Sequence, residues 1–152
     1  MNFINLSLLI IIIILIIISG FLSGSETAIT ATSKARIISK IKKGNKAAHY
    51  VKKIIDNKDS IISSLLLSNN LVNILASSLA TAFFYNLFGV TGIFYATILM
   101  TFLLVIFAEV LPKTYALNKP TRAALWIAPF VYYLNKFLSP LVYLIKKIVN
   151  MI

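Results

Sequence analysis

The segment FINLSLLIIIIILIIISGFL, Phe3 to Leu22, decides the fold. Its centre, Leu8 to Ile18, is an unbroken run of Leu and Ile. Some twenty helical residues at 1.5 Å rise reach about 30 Å, the thickness of a bilayer's hydrocarbon core. This predicts a first transmembrane helix. Working outward by the same measure, Ile61 to Phe88 and Ile93 to Leu111 are two further spans, joined by the charge-free turn Phe88-Gly-Val-Thr-Gly92. The third is expected to stop at Pro112-Lys113. The second is long for one crossing and carries Ser63, Ser64, Ser68, Asn69, Asn70, Asn73, Ser77, Ser78 and Thr81, so it must face protein as well as lipid.

Composition agrees with an integral membrane protein: 59% of the 152 residues are hydrophobic, and the mean hydropathy is +0.91. Cysteine is absent and His49 is the lone histidine, in a lysine-rich stretch, which argues against disulfides, thiolate sites and zinc chemistry. No Ser-His-Asp arrangement or acid–base pair of carboxylates is evident, so an enzyme is not expected.

The net charge of +11 is unevenly placed: nine of fifteen Lys and Arg lie between Lys34 and Lys58, the other six from Lys113 onward, and none precedes Lys34. These cations flank apolar spans and lack a row of interleaved aromatics, which points to membrane topology and anionic lipid rather than nucleic acid. Under the positive-inside rule both basic regions are cytoplasmic, and the turn at 88–92 is external. Met1 to Ser7 carries no Lys or Arg, and the apolar run exceeds a signal peptide's core, so a retained anchor with its N-terminus outside is expected.

Lys34 to Lys58 alternates Lys with Ala, Ile and Val around Gly44-Asn45, predicting two short amphipathic helices. Asp59-Ser60 is a plausible N-cap for the second span. The stretch Thr121 to Ile152 is apolar and aromatic but interrupted by Pro129, Lys136, Pro140, Lys146 and Lys147. It reads as a broken helix, about 121–150, lying along the inner interface with Trp126, Tyr132, Tyr133 and Tyr143 at headgroup depth; a re-entrant or spanning course is the alternative.

Only four carboxylates occur, and two of them, Glu26 and Glu109, lie at the edge of apolar segments, where an acid is costly unless it handles an ion or proton. Counting inward places Ser19 and Ser23, then Asn69, Asn70 and Asn73, and then Glu109 at one level near the cytoplasmic side. Ser19 and Ser23 are i, i+4, Asn70 and Asn73 are i, i+3, and Ser77 and Thr81 continue the second stripe outward. Hydroxyl and amide oxygens beside one carboxylate make a hard-cation ligand set, suited to Mg²⁺ with Ca²⁺ and Na⁺ left open. The plainer reading is helix packing: Ser and Asn join helices by hydrogen bonds, and Gly20-x-x-x-Gly24 lets backbones approach. Glu26 then caps a helix or pairs with a lysine, and Lys113 anchors a helix end.

Three stretches carry a family resemblance: Ser19-Gly-Phe-Leu-Ser-Gly-Ser-Glu-Thr-Ala28, Ser68-Asn-Asn-Leu-Val-Asn-Ile74 and Phe107-Ala-Glu-Val-Leu-Pro-Lys-Thr114. Together they resemble the signature motifs of the CorC and cyclin M (CNNM) transmembrane domain, a family of magnesium transporters or exporters thought to be sodium-coupled and homodimeric. The resemblance implies an all-α membrane domain of three transmembrane helices and a juxtamembrane belt helix. It implies Mg²⁺ ligands at Ser19, Ser23, Asn70, Asn73 and Glu109, helped by backbone carbonyls around a Ser23-Gly24 turn. Pro112 would break the third helix beside them, and Gly20, Gly24, Glu26, Asn69, Ser77 and Lys113 would support the site. Such proteins usually continue into a cytosolic CBS module that senses ATP and magnesium, whereas this sequence ends at Ile152, so a separate regulatory module is a possible partner. The Asn118-Lys-Pro120 wording differs from the commoner form. The rival expectation is a non-transporting membrane anchor or assembly subunit whose polar residues only join helices.

Overall fold

A computed structural model describes residues 3–149; the end of the juxtamembrane helix expected at residue 150 and the N-terminal Met1 lie outside them. The chain is all-α. Among the described residues seven α-helices and one π-helical segment follow in order: α1 (Phe3–Ala31), α2 (Lys34–Lys42), α3 (Lys46–Asp56), α4 (Lys58–Phe88), α5 (Thr91–Leu103), the π segment (Leu104–Val110), α6 (Leu111–Asn118) and α7 (Pro120–Val149). Three stretches are long and apolar enough to cross a membrane: Ile4–Ala31, Lys58–Phe88 and the continuous Thr91–Asn118.

Each helix outruns its apolar core. With no water in a bilayer core to satisfy backbone groups, a helix continues until it meets a polar environment or a breaker. The first therefore reaches Ala31, and the third reaches Asn118 rather than stopping at Pro112. The second span begins at Lys58 with Asn57 before it, so the expected cap at Asp59-Ser60 is corrected: Asp59 sits in the first turn, where a carboxylate favours the positive end of the helix dipole. At the other end the turn tightens to two residues. Gly89 takes φ +64°, a value glycine adopts without a Cβ clash, and Gly92 then lies so close to α4 that an added Cβ would meet the Phe84 carbonyl oxygen at 2.2 Å.

Two apolar cores stack along the bundle. Ile12, Ala76, Ala80, Phe83 and Met100 fill the end near the α4–α5 turn, with Ala76 and Ala80 as an i, i+4 pair of small residues that admits close helix approach. The opposite, basic end is filled by Leu22, Ile29, Ile37, Val51, Ile54, Ile61, Leu65, Ala128 and Val131, which tie α2, α3 and α7 to α1 and α4. The α2–α3 pair turns at Gly44, φ +79°, and Asn45 Oδ1 caps α3 by accepting from the Ala48 amide at 3.2 Å. Lys34 Nζ bridges Asp56 Oδ1 at 2.9 Å and holds that carboxyl below the usual carboxylate range.

Helix α7 runs across this basic end. Phe21 of α1 meets Trp126 and Phe130 edge-on, Tyr50 of α3 meets Tyr132, and Ser60 and Ser64 of α4 both reach Asn135 Oδ1, at 3.2 and 2.7 Å. The break expected in α7 is corrected: Pro129 and Pro140 lie inside one continuous helix, Pro120–Val149. Pro140 has no N–H to offer the Lys136 carbonyl, and Ser139 Oγ donates to that carbonyl instead, at 3.1 Å.

Gly92→Ala should be the costliest glycine replacement, lowering stability by about 1–3 kcal/mol because backbone has to move. Gly44→Ala, with open space around it, should lose only about 1–2 kcal/mol from its left-handed φ. Thermal unfolding in detergent checks the order.

Candidate functional site

Between the two apolar cores lies a buried polar cluster. Ser19, fully buried on α1, has its Oγ 2.8 Å from Asn69 Oδ1 and 2.5 Å from Asn73 Oδ1, both on α4. Asn69 and Asn73 are i, i+4 and so share a face, matching the i, i+4 spacing of Ser19 and Ser23 opposite. Asn70 differs from the expectation: it is exposed and makes no hydrogen bond to the cluster among the described residues, and Asn69 takes the place beside Asn73. Spacing alone does not decide between them, since the helical step from 69 to 73 turns about 40° and that from 70 to 73 about 60°, and both keep the pair on one face.

Ser23 is fully buried, and its Oγ has no hydrogen-bond partner among the described residues. Serine and threonine hydroxyls elsewhere in the spans, at Ser25, Ser64, Ser68, Thr81, Thr97 and Thr101, turn back to the carbonyl four residues earlier. Ser19 and Ser23 do not. The turn expected at Ser23-Gly24 is corrected: α1 passes through it unbroken, and the Ser23 carbonyl accepts from Thr27 Oγ1 at 3.3 Å.

Glu109 lies in the π segment, one residue after the fully buried Ala108. A Cβ on Gly20 would sit 3.0 Å from the Phe107 carbonyl oxygen, and one on Gly24 would sit 3.3 Å from Pro112 Cβ. This glycine pair therefore brings the Glu109 segment against α1 at the level of Ser19 and Ser23. Pro112 does not break the span. It has no N–H for a bond to the preceding turn, and the helix widens to i→i+5 pairing before it and resumes as α6. Sequence reading missed this π segment; a proline ending an apolar run was its only trace.

Glu109 is half-buried and forms no ion pair among the described residues, Lys113 one turn on included. Glu26, also half-buried, lies inside α1 rather than at a cap, and the lysine pairing expected for it is absent among the described residues. Ser77 is half-buried one turn beyond Asn73, and its carbonyl accepts from Thr81 at 2.9 Å. Measured along their helices, the serines, asparagines and Glu109 stand roughly 12–22 Å inside the basic end at 1.5 Å per residue.

The fold is thus that of a three-span helical membrane domain with an oxygen-rich, largely buried cluster between its two apolar cores. Comparison with known proteins gives the family: the model for the Cyclin M transmembrane N-terminal domain matches residues 10–152, and the chain belongs to that family. It is 40% identical over 135 residues to the UPF0053 inner membrane protein YfjD of Escherichia coli, covering 89% of this chain and 32% of the relative. It is 38% identical over 140 residues to a UPF0053 protein of Haemophilus influenzae, covering 92% and 33%. The UPF0053 protein sll0260 of Synechocystis is 27% identical over 143 residues, covering 85% and 32%. The chain spans about a third of the length of these curated relatives.

Without added divalent cations, Asn69→Ala and Asn73→Ala should each lower stability by about 0.5–2 kcal/mol, the range for hydrogen bonds between membrane helices. Asn70→Ala should be nearly neutral. Melting of the three variants in detergent tests this.

Proposed function

We propose that this domain carries a hard divalent cation, Mg²⁺, through the cluster of Ser19, Ser23, Asn69, Asn73 and Glu109, with Asn70 at its exposed margin. One observation carries the reading: oxygens, rather than amide NH₂ groups, are turned toward one another at the cluster. Two amide oxygens converge on a hydroxyl that has a single proton, and among the described residues the second buried hydroxyl has no partner and the Glu109 carboxylate no ion pair. A small oxygen-seeking cation completes such a set, and Mg²⁺ suits compact oxygen coordination at about 2.0–2.1 Å.

The same residues also have a stable empty form. Turning one asparagine amide over presents its NH₂ to Ser19, so the cluster satisfies itself without an ion. Loading then needs only an amide flip and the approach of Glu109. Because one carboxylate supplies the only formal charge, binding stays weak enough for release. The basic regions orient the domain with α2, α3 and α7 in the cytoplasm and the α4–α5 turn outside. The E. coli relative's name gives the inner membrane as the matching location. Sodium coupling and a homodimer complete the reading, and the greater length of the relatives leaves room for a cytosolic regulatory module.

The helix-joining alternative, a non-transporting anchor, draws on the Ser19–Asn69–Asn73 contacts but leaves Ser23 and Glu109 unexplained. A melting titration separates the two. For the purified chain, Mg²⁺ at a hundredfold excess over Kd should stabilise by about 2.7 kcal/mol. Glu109→Gln should abolish that gain. Ser23→Ala should match or exceed wild-type stability without ion, since it removes an unpaired buried hydroxyl, yet lose most of the Mg²⁺ response. No Mg²⁺ response in well-folded wild type would favour the anchor, and a response unchanged in both variants would place the ion outside this cluster.

A further inference from the structure

A groove of about 900 Å³ runs between α1, α6 and the start of α7, and none of Ser19, Ser23, Asn69 and Asn73 lines it. Its walls are apolar, from Ile16, Ile17, Phe21, Phe107, Leu125 and Ile127, and Gly20, Gly24 and Pro112 also line it. The hydroxyl of Ser25, another lining residue, is spent on the Phe21 carbonyl at 2.6 Å. Arg122 is then the sole charge lining the groove among the described residues. It is exposed and has no ion pair among the described residues.

We propose that this groove binds one anionic glycerophospholipid, an acyl chain lying in the trough and the phosphate on Arg122. Depth fits the occupant. Arg122 comes two residues into α7, just after the third span ends at Asn118, and so lies at headgroup level. Trp126, one turn on and 77% exposed, packs edge-on against Phe21 at 5.9 Å, the amphipathic aromatic expected where acyl chain meets headgroup. Guanidinium matches phosphate in shape as well as charge.

Charge argues against a second copy of the chain in the groove. A protein of net charge +11 has four side-chain carboxylates: Asp56 is taken by Lys34, Glu26 and Glu109 lie inside the spans, and exposed Asp59 alone is left, in the first turn of α4. It has little to offer Arg122. A lipid seated here would brace the contact of Gly20 and Gly24 with Phe107 and Pro112, which holds the Glu109 segment against α1. The site does not depend on what ion the domain carries.

Native mass spectrometry of the detergent-purified chain, titrated with dioleoyl phosphatidylglycerol or phosphatidylcholine, tests it. Wild type should retain phosphatidylglycerol with about fivefold preference, the advantage one cation near the surface confers on an anionic lipid. Lys119→Gln, which removes a neighbouring charge outside the groove, should keep the preference, and Arg122→Gln should lose it. Ala123→Trp, which fills the trough, should lose bound lipid of both kinds. Equal retention of the two lipids by wild type, or a preference surviving Arg122→Gln, would overturn the proposal. So would a Trp variant that keeps its lipid but changes oligomeric state, which would assign the groove to a second copy. Equal capture of glycerol phosphate would make it a plain phosphate site and overturn it too.

Discussion

A hydroxyl has one proton to give, and Ser19 faces two amide oxygens. In water the surplus would go unnoticed. Between two apolar cores, with Ile12 and Ala76 on one side and Leu22 and Leu65 on the other, each unsatisfied oxygen carries a desolvation cost that only a donor or a cation removes. The fold is arranged around that constraint. Asn69 and Asn73 reach Ser19 because α1 and α4 pack closely, and Glu109 arrives at the same depth because Gly20 and Gly24 admit the third span.

The π segment shows how one local choice serves two ends. Proline in a membrane helix leaves a carbonyl without its donor, and the helix accommodates it by widening before Pro112 rather than breaking. A widened turn changes the angular phase of the residues it contains, and Glu109 is one of them. The acid is thereby half-buried beside α1, in a span otherwise poor in polar groups.

Much of this was legible in the sequence. Length and apolarity fixed the three spans, Gly44-Asn45 marked the turn between α2 and α3, and the three signature stretches pointed to the family that the comparisons then gave. What was not legible depended on packing. Asn69 and Asn70 are chemically equivalent neighbours, and only the rotation of α4 against α1 decides which is buried. The continuity of α1 through Ser23-Gly24, and of the third span through Pro112, follows from the cost of unpaired backbone in lipid, which outweighs local breaker signals. The Ser60–Ser64–Asn135 contact joins residues more than seventy positions apart, and no local pattern announces it.

The central claim is that the oxygens at Ser19, Asn69 and Asn73 are ligands and not merely helix fasteners. Anomalous diffraction from crystals grown with Mn²⁺, a scatterer that takes the same oxygen donors as Mg²⁺, tests it most directly. The account predicts one peak between α1 and α4, about 2.0–2.4 Å from the Ser19 hydroxyl and the amide oxygens, with the Glu109 carboxylate among its neighbours. A well-ordered cluster with no peak, and one asparagine amide turned to donate to Ser19, would contradict it.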